Sequence, residues 1–356
     1  MQLFSPALRY GSLLLVALSL PIPAHCRLYS IRDIAKLTDS SPIIVVGEVV
    51  RTSHVGSGET RMSDGTPYVC ENVIAFIRVD EVLKGEPGNS TIQVEYLHNP
   101  NWEGGPLTNG IAEGEYLMFF LKPDGDRFAF AASDQSSIPM SRSRSELMND
   151  QDGDVYARVL RHLAEGLFDE QASSQDRIHA IFEIDWERSP IVPEMFKLAL
   201  RSPAAGSDRA FRFELLATLV RHKDLSVLPD LETGLLTVHD PDVANARTNM
   251  IYALQEIDPS LAGPILIQAL RLPEPRIRAA AAAALWHAPS NDAIAALFGS
   301  LDDPDREVRW SAINALTSIF REPQCLPQQP DSEDLFGACV AHWKEFAATK
   351  SAFLNR

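Results

Sequence analysis

The chain lacks the short motifs that announce common chemistries. It contains no HExxH, GxSxG, Walker loop or CxxC. Zincin, α/β-hydrolase, P-loop and thiol-redox mechanisms therefore have no carrier in it. Its nine histidines do not fall at ligand spacing, and no metal or other cofactor is implied. Basic residues are few: 32 Lys and Arg stand against 48 Asp and Glu, a formal charge of -16. Neutralising phosphates takes a Lys/Arg surface, and no basic stripe interleaved with aromatics occurs, so nucleic acid is excluded as a partner. Long apolar runs are missing too. Leu13 to Leu20 is too short for a bilayer span, which needs about 20 apolar residues, so no transmembrane span is expected in the mature protein.

That short run has its own meaning. Arg9 precedes it, and Pro21, Pro23 and the small Ala24 follow. A positive start, a brief apolar centre and a small-residue exit predict a secretory signal peptide over residues 1–24. The alternative is an uncleaved anchor. Cleavage after Ala24 or after Cys26 suits the pattern, and the expected location is secreted or periplasmic. The acid excess then keeps an exported protein soluble.

Cysteine fits export. There are four, Cys26, Cys70, Cys325 and Cys339, two early and two late. Four allow three connectivities; domain locality favours Cys26–Cys70 and Cys325–Cys339 as structural disulfides, against four buried thiols as the alternative.

Strand language fills the first third. Helical spacing at Leu28, Ile31, Ile34 and Ala35 ends at Asp39–Pro42. Strands are then expected at 43–50, 69–82, 91–97, 116–121 and 127–131, with a Ser/Gly-rich loop after the first and turn chemistry at 84–89. Five such strands predict an all-β barrel domain over 25–133, whose closure removes exposed edges. Residues 134–153, rich in Ser and Asp, read as a linker. Within them Asp150-Gln151-Asp152-Gly153-Asp154 superficially suggests a calcium loop. The closing Glu of such a loop is missing, so an acidic linker capping the next helix is preferred.

From residue 154 the pattern turns helical. Arg247, Arg278 and Arg309 recur every 31 residues, as do Leu254, Leu285 and Leu316, and an earlier copy carries Arg212 and Leu219. A fixed period of this size predicts an all-α solenoid over 154–323. Each copy opens with Pro beside an acid, suited to a helix first turn. The arginines are expected to bridge neighbouring repeats as a structural ladder; the alternative is a stripe reading an acidic ligand. The Ala279–Ala284 run allows close helix approach. Residues 324–356 read as a capping helix carrying Phe336, Trp343 and Phe346. Trp286, Trp310 and Trp343 are expected in the core.

Two resemblances sharpen this multidomain reading. Val45-Val46-Gly47-Glu48-Val49, Val79 to Gly85 and Gly114-Glu115-Tyr116-Leu117 resemble the OB-like barrel of the netrin and metalloproteinase-inhibitor families. Cys26 before that barrel and Cys70 within a strand resemble that family's first disulfide. The inhibitors' zinc-chelating N-terminal Cys would need a cut after His25, and their closely spaced second Cys is replaced by Arg27-Leu28. Asp240-Pro241-Asp242 with Arg247, and Asp303-Pro304-Asp305 with Val308-Arg309, resemble HEAT repeats of the short type also found in bilin lyases.

One loop stands out, Asn101-Trp102-Glu103 among Gly, Pro and Asn. It is a candidate binding contact, with a Trp plugging the barrel as the alternative. The expected function is a non-enzymatic exported binding or scaffold protein for another protein or polymer. The alternatives are an enzyme or enzyme subunit of bilin-lyase type, and a protease inhibitor acting through the barrel.

Overall fold

A computed structural model describes residues 33–61, 67–98, 111–132, 137–142, 153–322 and 333–354. The signal segment, Cys26, Asn101, Trp102, Glu103 and Cys325 lie outside them. Of the two preferred disulfides, one described cysteine of each remains, Cys70 and Cys339, both buried.

The N-terminal part is a six-stranded sheet: β1 (Ile43–Arg61), β2 (Pro67–Lys84), β3 (Thr91–His98), β4 (Tyr116–Asp124), β5 (Arg127–Phe130) and β6 (Ser137–Pro139). Its order, β1-β2-β3-β5-β4, returns on itself because β4 also pairs with β1, Ile43 against Leu121 through Glu48 against Tyr116. The sheet is thus ring-like, with β6 added beyond β4. β6 lies inside the stretch read as linker. Three residues are too few to show a period-two pattern, which is why alternation did not reveal it.

Strand β1 also runs 11 residues past the predicted end. Arg51 to Arg61, read as a Ser/Gly loop, pairs with β2, and register shifts near Arg51 and Gly56 absorb the irregularity. Pairing to a continuous β-branched neighbour outweighs the poor strand propensity of Gly and Ser. Gly47 sits at another register shift. A Cβ there would lie 2.2 Å from the Arg78 carbonyl oxygen, so only glycine fits.

The unbroken apolar runs now have a cause. Ile43, Val45, Leu117, Phe119 and Leu121 point into the ring, with Ala75, Ile77, Ile92 and Val94. Their sequence neighbours Ile44, Val46, Met118 and Phe120 point the other way. There they join Ile34 and Leu37 of α1 (Ile34–Ser40) and Val159, Leu160 and Leu163 of α2 (Val155–Ala164) in one core. A strand buried on both faces loses its polar alternation. The sheet and the first helices therefore share a hydrophobic core. Arg158 donates to the Leu83 carbonyl at 2.9 Å and the His162 ring meets Glu81 at 2.8 Å across the same seam. Asp154 caps α2, accepting from Ala157 N–H at 2.8 Å, which is the role preferred for the acidic stretch.

The helical region continues with α3 (Ser174–Ile184), α4 (Ile191–Leu200), α5 (Pro203–Ser207), α6 (Arg209–Arg221) and α7 (Leu228–Thr237). It ends with α8 (Ala244–Leu254), α9 (Pro259–Ala269), α10 (Pro275–Ala284), α11 (Asn291–Ser300), α12 (Arg306–Phe320) and α13 (Glu333–Leu354). Helices α3, α6, α8, α10 and α12 stack in order as one layer, and the helix after each forms the second. Ala279 to Ala282, Ala284, Ala312 and Ala315 are buried where α10 and α12 meet, so the alanine run brings backbones close. At the end α13 packs Trp343 and Phe346 on Phe320, and Phe336 near Trp310. Trp343 is fully buried and Trp310 partly, as core residues. Trp286 is not: it lies in the 3-10 turn that follows α10 and is 45% exposed.

A candidate binding face on the helical repeats

The ladder arginines set a common register for the first helix layer. Arg247 is fully buried; it donates to the Leu235 carbonyl at 2.7 Å and to Glu274 of the next repeat at 2.9 Å. Arg278 grips Asp303 of the next repeat with both ends of its fork, at 2.7 and 2.8 Å, and also donates to the Leu272 and Pro273 carbonyls. Arg309 donates to the Asp303 and Pro304 carbonyls at 2.8 and 3.0 Å and lies over the Phe336 ring of α13. Arg212 departs, pairing with Asp230 of its own repeat at 3.0 Å, while Arg209 reaches Asp240 of the next at 3.1 Å. Planar five-donor guanidinium suits this bridging of carbonyls and carboxylates.

A fifth member escaped the sequence reading. Arg177 donates to the Asp169 and Ala172 carbonyls and to Asp208 of the next repeat at 2.8 Å. The available signal was its 35-residue spacing to Arg212, equal to that between Arg212 and Arg247.

The acids have double roles. Asp208 also caps α6, accepting from Phe211 N–H, and Asp305 caps α12. Glu274 stands at the same place before α10 but makes no capping bond. Its longer side chain reaches back to Arg247 and to the His239 ring at 2.9 Å. Burial pushes the Glu274 carboxyl up, but hydrogen bonds from Arg247, its own backbone N–H and His239, with the Arg247 charge, together outweigh it and hold it below its ordinary range.

Counting from each ladder Arg, positions two, five and nine residues on share one helix face. On α3 these are His179 and Phe182, with Trp186 in the turn beyond its end; on α6, Glu214, Ala217 and Arg221; on α8, Asn249 and Tyr252, with Glu256 in the turn beyond its end. Adjacent copies do touch there: the Asn249 amide donates to Glu214 Oε1 at 2.6 Å. Phe182 (43%), Trp186 (52%) and Tyr252 (38%) are exposed, whereas Ala217 and Glu214 are buried between them. The face thus sets exposed aromatic rings of the α3 and α8 repeats on either side of covered α6 residues. Trp286 stands further along the same layer, its ring 3.7 Å from that of His287.

Two carboxylates at this corner are driven in opposite directions. Glu214 is 4% exposed and its Oε2 has no partner. Burial pushes its carboxyl up to about 7, against the smaller downward pulls of Asn249 and Arg221. For Asp185 burial also pushes upward, but hydrogen bonds from His222 (3.0 Å) and Arg221 (2.8 Å) prevail and hold it below its ordinary value. Beside Asp185 a cleft of about 280 Å³ is lined by Trp186, Arg188, Ser189, Pro190 and His222. Its floor is tied to α1 and α2: buried Glu187 accepts from Ile34 N–H at 2.8 Å and from the Tyr156 hydroxyl. Burial, with that carboxylate beside it, raises the Tyr156 phenol.

Among the described residues, no group of three or more His, Cys, Asp and Glu is arranged to hold a metal, and no helix is long and apolar enough to cross a membrane. No curated protein matches the chain. The family model of HEAT repeats matches residues 263–328, so α10 to α12, with most of α9, are similar to HEAT repeats and the helical region is solenoid-like.

Proposed function

We propose that the protein is a non-enzymatic, exported binding or scaffold protein whose helical repeats hold a polypeptide partner along the first helix layer. The observation that carries this reading is the set of exposed aromatic rings on the early repeats. Phe182 and Tyr252 are exposed at equivalent repeat positions, and Trp186 is exposed four residues past Phe182. Aromatic side chains are frequent anchors of protein recognition, and large apolar groups left in water together mark interaction sites. On this reading the ring-like sheet is an OB-like barrel of netrin type, supported by its closed strand order. Its shared core with α2 makes it a rigid end-piece for the repeats. Export rests on the pattern Arg9, Leu13–Leu20 and Ala24.

A photo-crosslinking residue placed at 182 or 252 tests the face in the full chain, with position 261 on the second layer as control. Both face positions are expected to yield the same polypeptide adduct from the secreted fraction, and position 261 none. Equal adducts at all three positions, or none at any, overturn the reading.

A further inference from the structure

We infer that the cleft beside Asp185 takes a carboxylate of the bound polypeptide, with the Arg188 guanidinium as its counter-ion and the Trp186 ring as the apolar wall beside it. This rests on the binding-face reading above and names the chemical group that the partner brings to it.

The cleft is formed by the chain between α3 and α4, residues 185–190, and by His222 just past α6. At about 280 Å³ it falls just under the roughly 300–1,000 Å³ of small-molecule sites, a size that suits one side chain or chain end. Trp186, 52% exposed, stands on its wall four residues past Phe182, so the cleft adjoins the exposed aromatic rings of the early repeats.

Its acceptors are spent and its donors are free. Asp185 accepts from Arg221 at 2.8 Å and from the His222 ring at 3.0 Å. Buried Glu187 accepts from Ile34 N–H at one oxygen and from the Tyr156 hydroxyl at the other. Arg188 differs. It is exposed, and among the described residues its guanidinium meets no acid or carbonyl; the Ser189 hydroxyl and the Trp186 indole N–H are likewise unengaged there. The ladder arginines and Arg221 are all bonded within the fold, so Arg188 is set apart from them. A rim of free donors with one uncommitted positive charge holds a group that accepts hydrogen bonds and is negative. The planar fork of a guanidinium matches a carboxylate with two parallel bonds. The Asp185 charge does not oppose this, because Arg221 lies against it. The indole removes water from one side of the ion pair, which strengthens it.

The test uses the full chain and three six-residue peptides of Gly, Ser and Leu, labelled with rhodamine at the N-terminus and followed by fluorescence anisotropy. The first ends in a free carboxylate, the second is amidated and carries one Glu, and the third is amidated with Gln in its place. The first or the second, or both, are expected to bind, and the third is not; which of the two binds tells a chain end from a side chain. Arg188→Gln should weaken binding about tenfold or more, as loss of a charge-assisted bond does. Its urea midpoint should match wild type, since that side chain is exposed and bonds nothing in the described fold. Arg188→Lys should recover only part of the loss, because the fork is gone. Arg271→Gln, at an exposed charge just past α9, should leave binding unchanged. Equal binding of all three peptides, binding of none, no effect of Arg188→Gln, or equal weakening by Arg271→Gln overturns the proposal. If crosslinks from positions 182 and 252 persist while no peptide binds, only the carboxylate site falls. If the peptides bind as expected and the crosslinks are absent, the cleft stands and the wider binding face falls.

Discussion

The first three repeats and the last two share a skeleton and differ in what they show to solvent. In both sets an arginine of the first helix ties its repeat to carbonyls and acids around it: Arg177, Arg212 and Arg247 early, Arg278 and Arg309 late. The equivalent outward positions differ. Early copies carry Phe182, Glu214, Asn249 and Tyr252, and late copies carry Ala280, Ala283, Ser311 and Asn314. The HEAT-repeat match covers 263–328 and leaves out the repeats that carry Phe182, Trp186 and Tyr252. Residues that recur with the period build the stack. Residues that break the period while staying exposed, or buried without a partner, are where binding chemistry can reside.

The sharpest way to break that comparison is to attack the skeleton. Arg247→Ala removes a fully buried guanidinium and strands the Leu235 carbonyl and Glu274. Losing one partner of a buried pair costs about 3 kcal/mol. Arg309→Ala, at the end of the ladder with only carbonyls and the Phe336 ring to lose, should cost about 1 kcal/mol. Urea unfolding midpoints of the two variants measure the difference; equal losses would mean that the register is not what holds the stack.

Next in size is the pH response of Glu214. Its folded value near 7 lies above the ordinary 4.5, so between those two values the folded state holds the extra proton. Stability therefore falls as pH rises from about 4.5 to about 7, and above that window the full penalty applies, at most about 3 kcal/mol. Glu214→Gln removes it. The variant should match wild type at pH 4.5 and be more stable at pH 8. A wild-type advantage at pH 8 would show that Glu214 finds a partner within the chain. Asp185 has the opposite sign. Its carboxyl is held low by His222 and Arg221 against burial, so its contribution is present above its unfolded value and is lost as pH falls through the folded one. Asp185→Asn should weaken the protein at neutral pH and converge with wild type in acid, read from the same denaturation curves.

Much of the skeleton was legible, because periodic signals repeat. The arginine and leucine spacing located the stacked helices, and the strand runs located β2 to β5. What stayed hidden did so for physical reasons. Arg51 to Arg61 carries loop-like residues whose strand state depends on β2 lying beside them. Ile44 and Val46 gave no hint of facing α2, since a run buried on both sides looks the same whatever covers it. Arg177 lay beyond the clear copies. Trp286 looked like core because tryptophan on a helix usually is, yet it sits exposed in the 3-10 turn after α10. The aromatic face was illegible because it is defined by difference: Phe182 and Tyr252 mean little until their exposure is known.

The smallest expected effect on stability decides most about function. Phe182→Ser removes a ring that is 43% exposed and so buries little more than half its area in the fold. At about 25 cal/mol per Å² of apolar surface, that costs about 1 kcal/mol, much like Arg309→Ala. The two variants should unfold at similar urea concentrations. They should part in crosslinking from position 252, where Arg309→Ala keeps its adduct and Phe182→Ser loses it. Skeleton and face are then separable by residues of equal weight in the fold, one serving the neighbouring repeat and the other serving a partner. If Phe182→Ser keeps the adduct undiminished, the aromatic face is ordinary surface, and the early repeats differ from the late ones in composition alone.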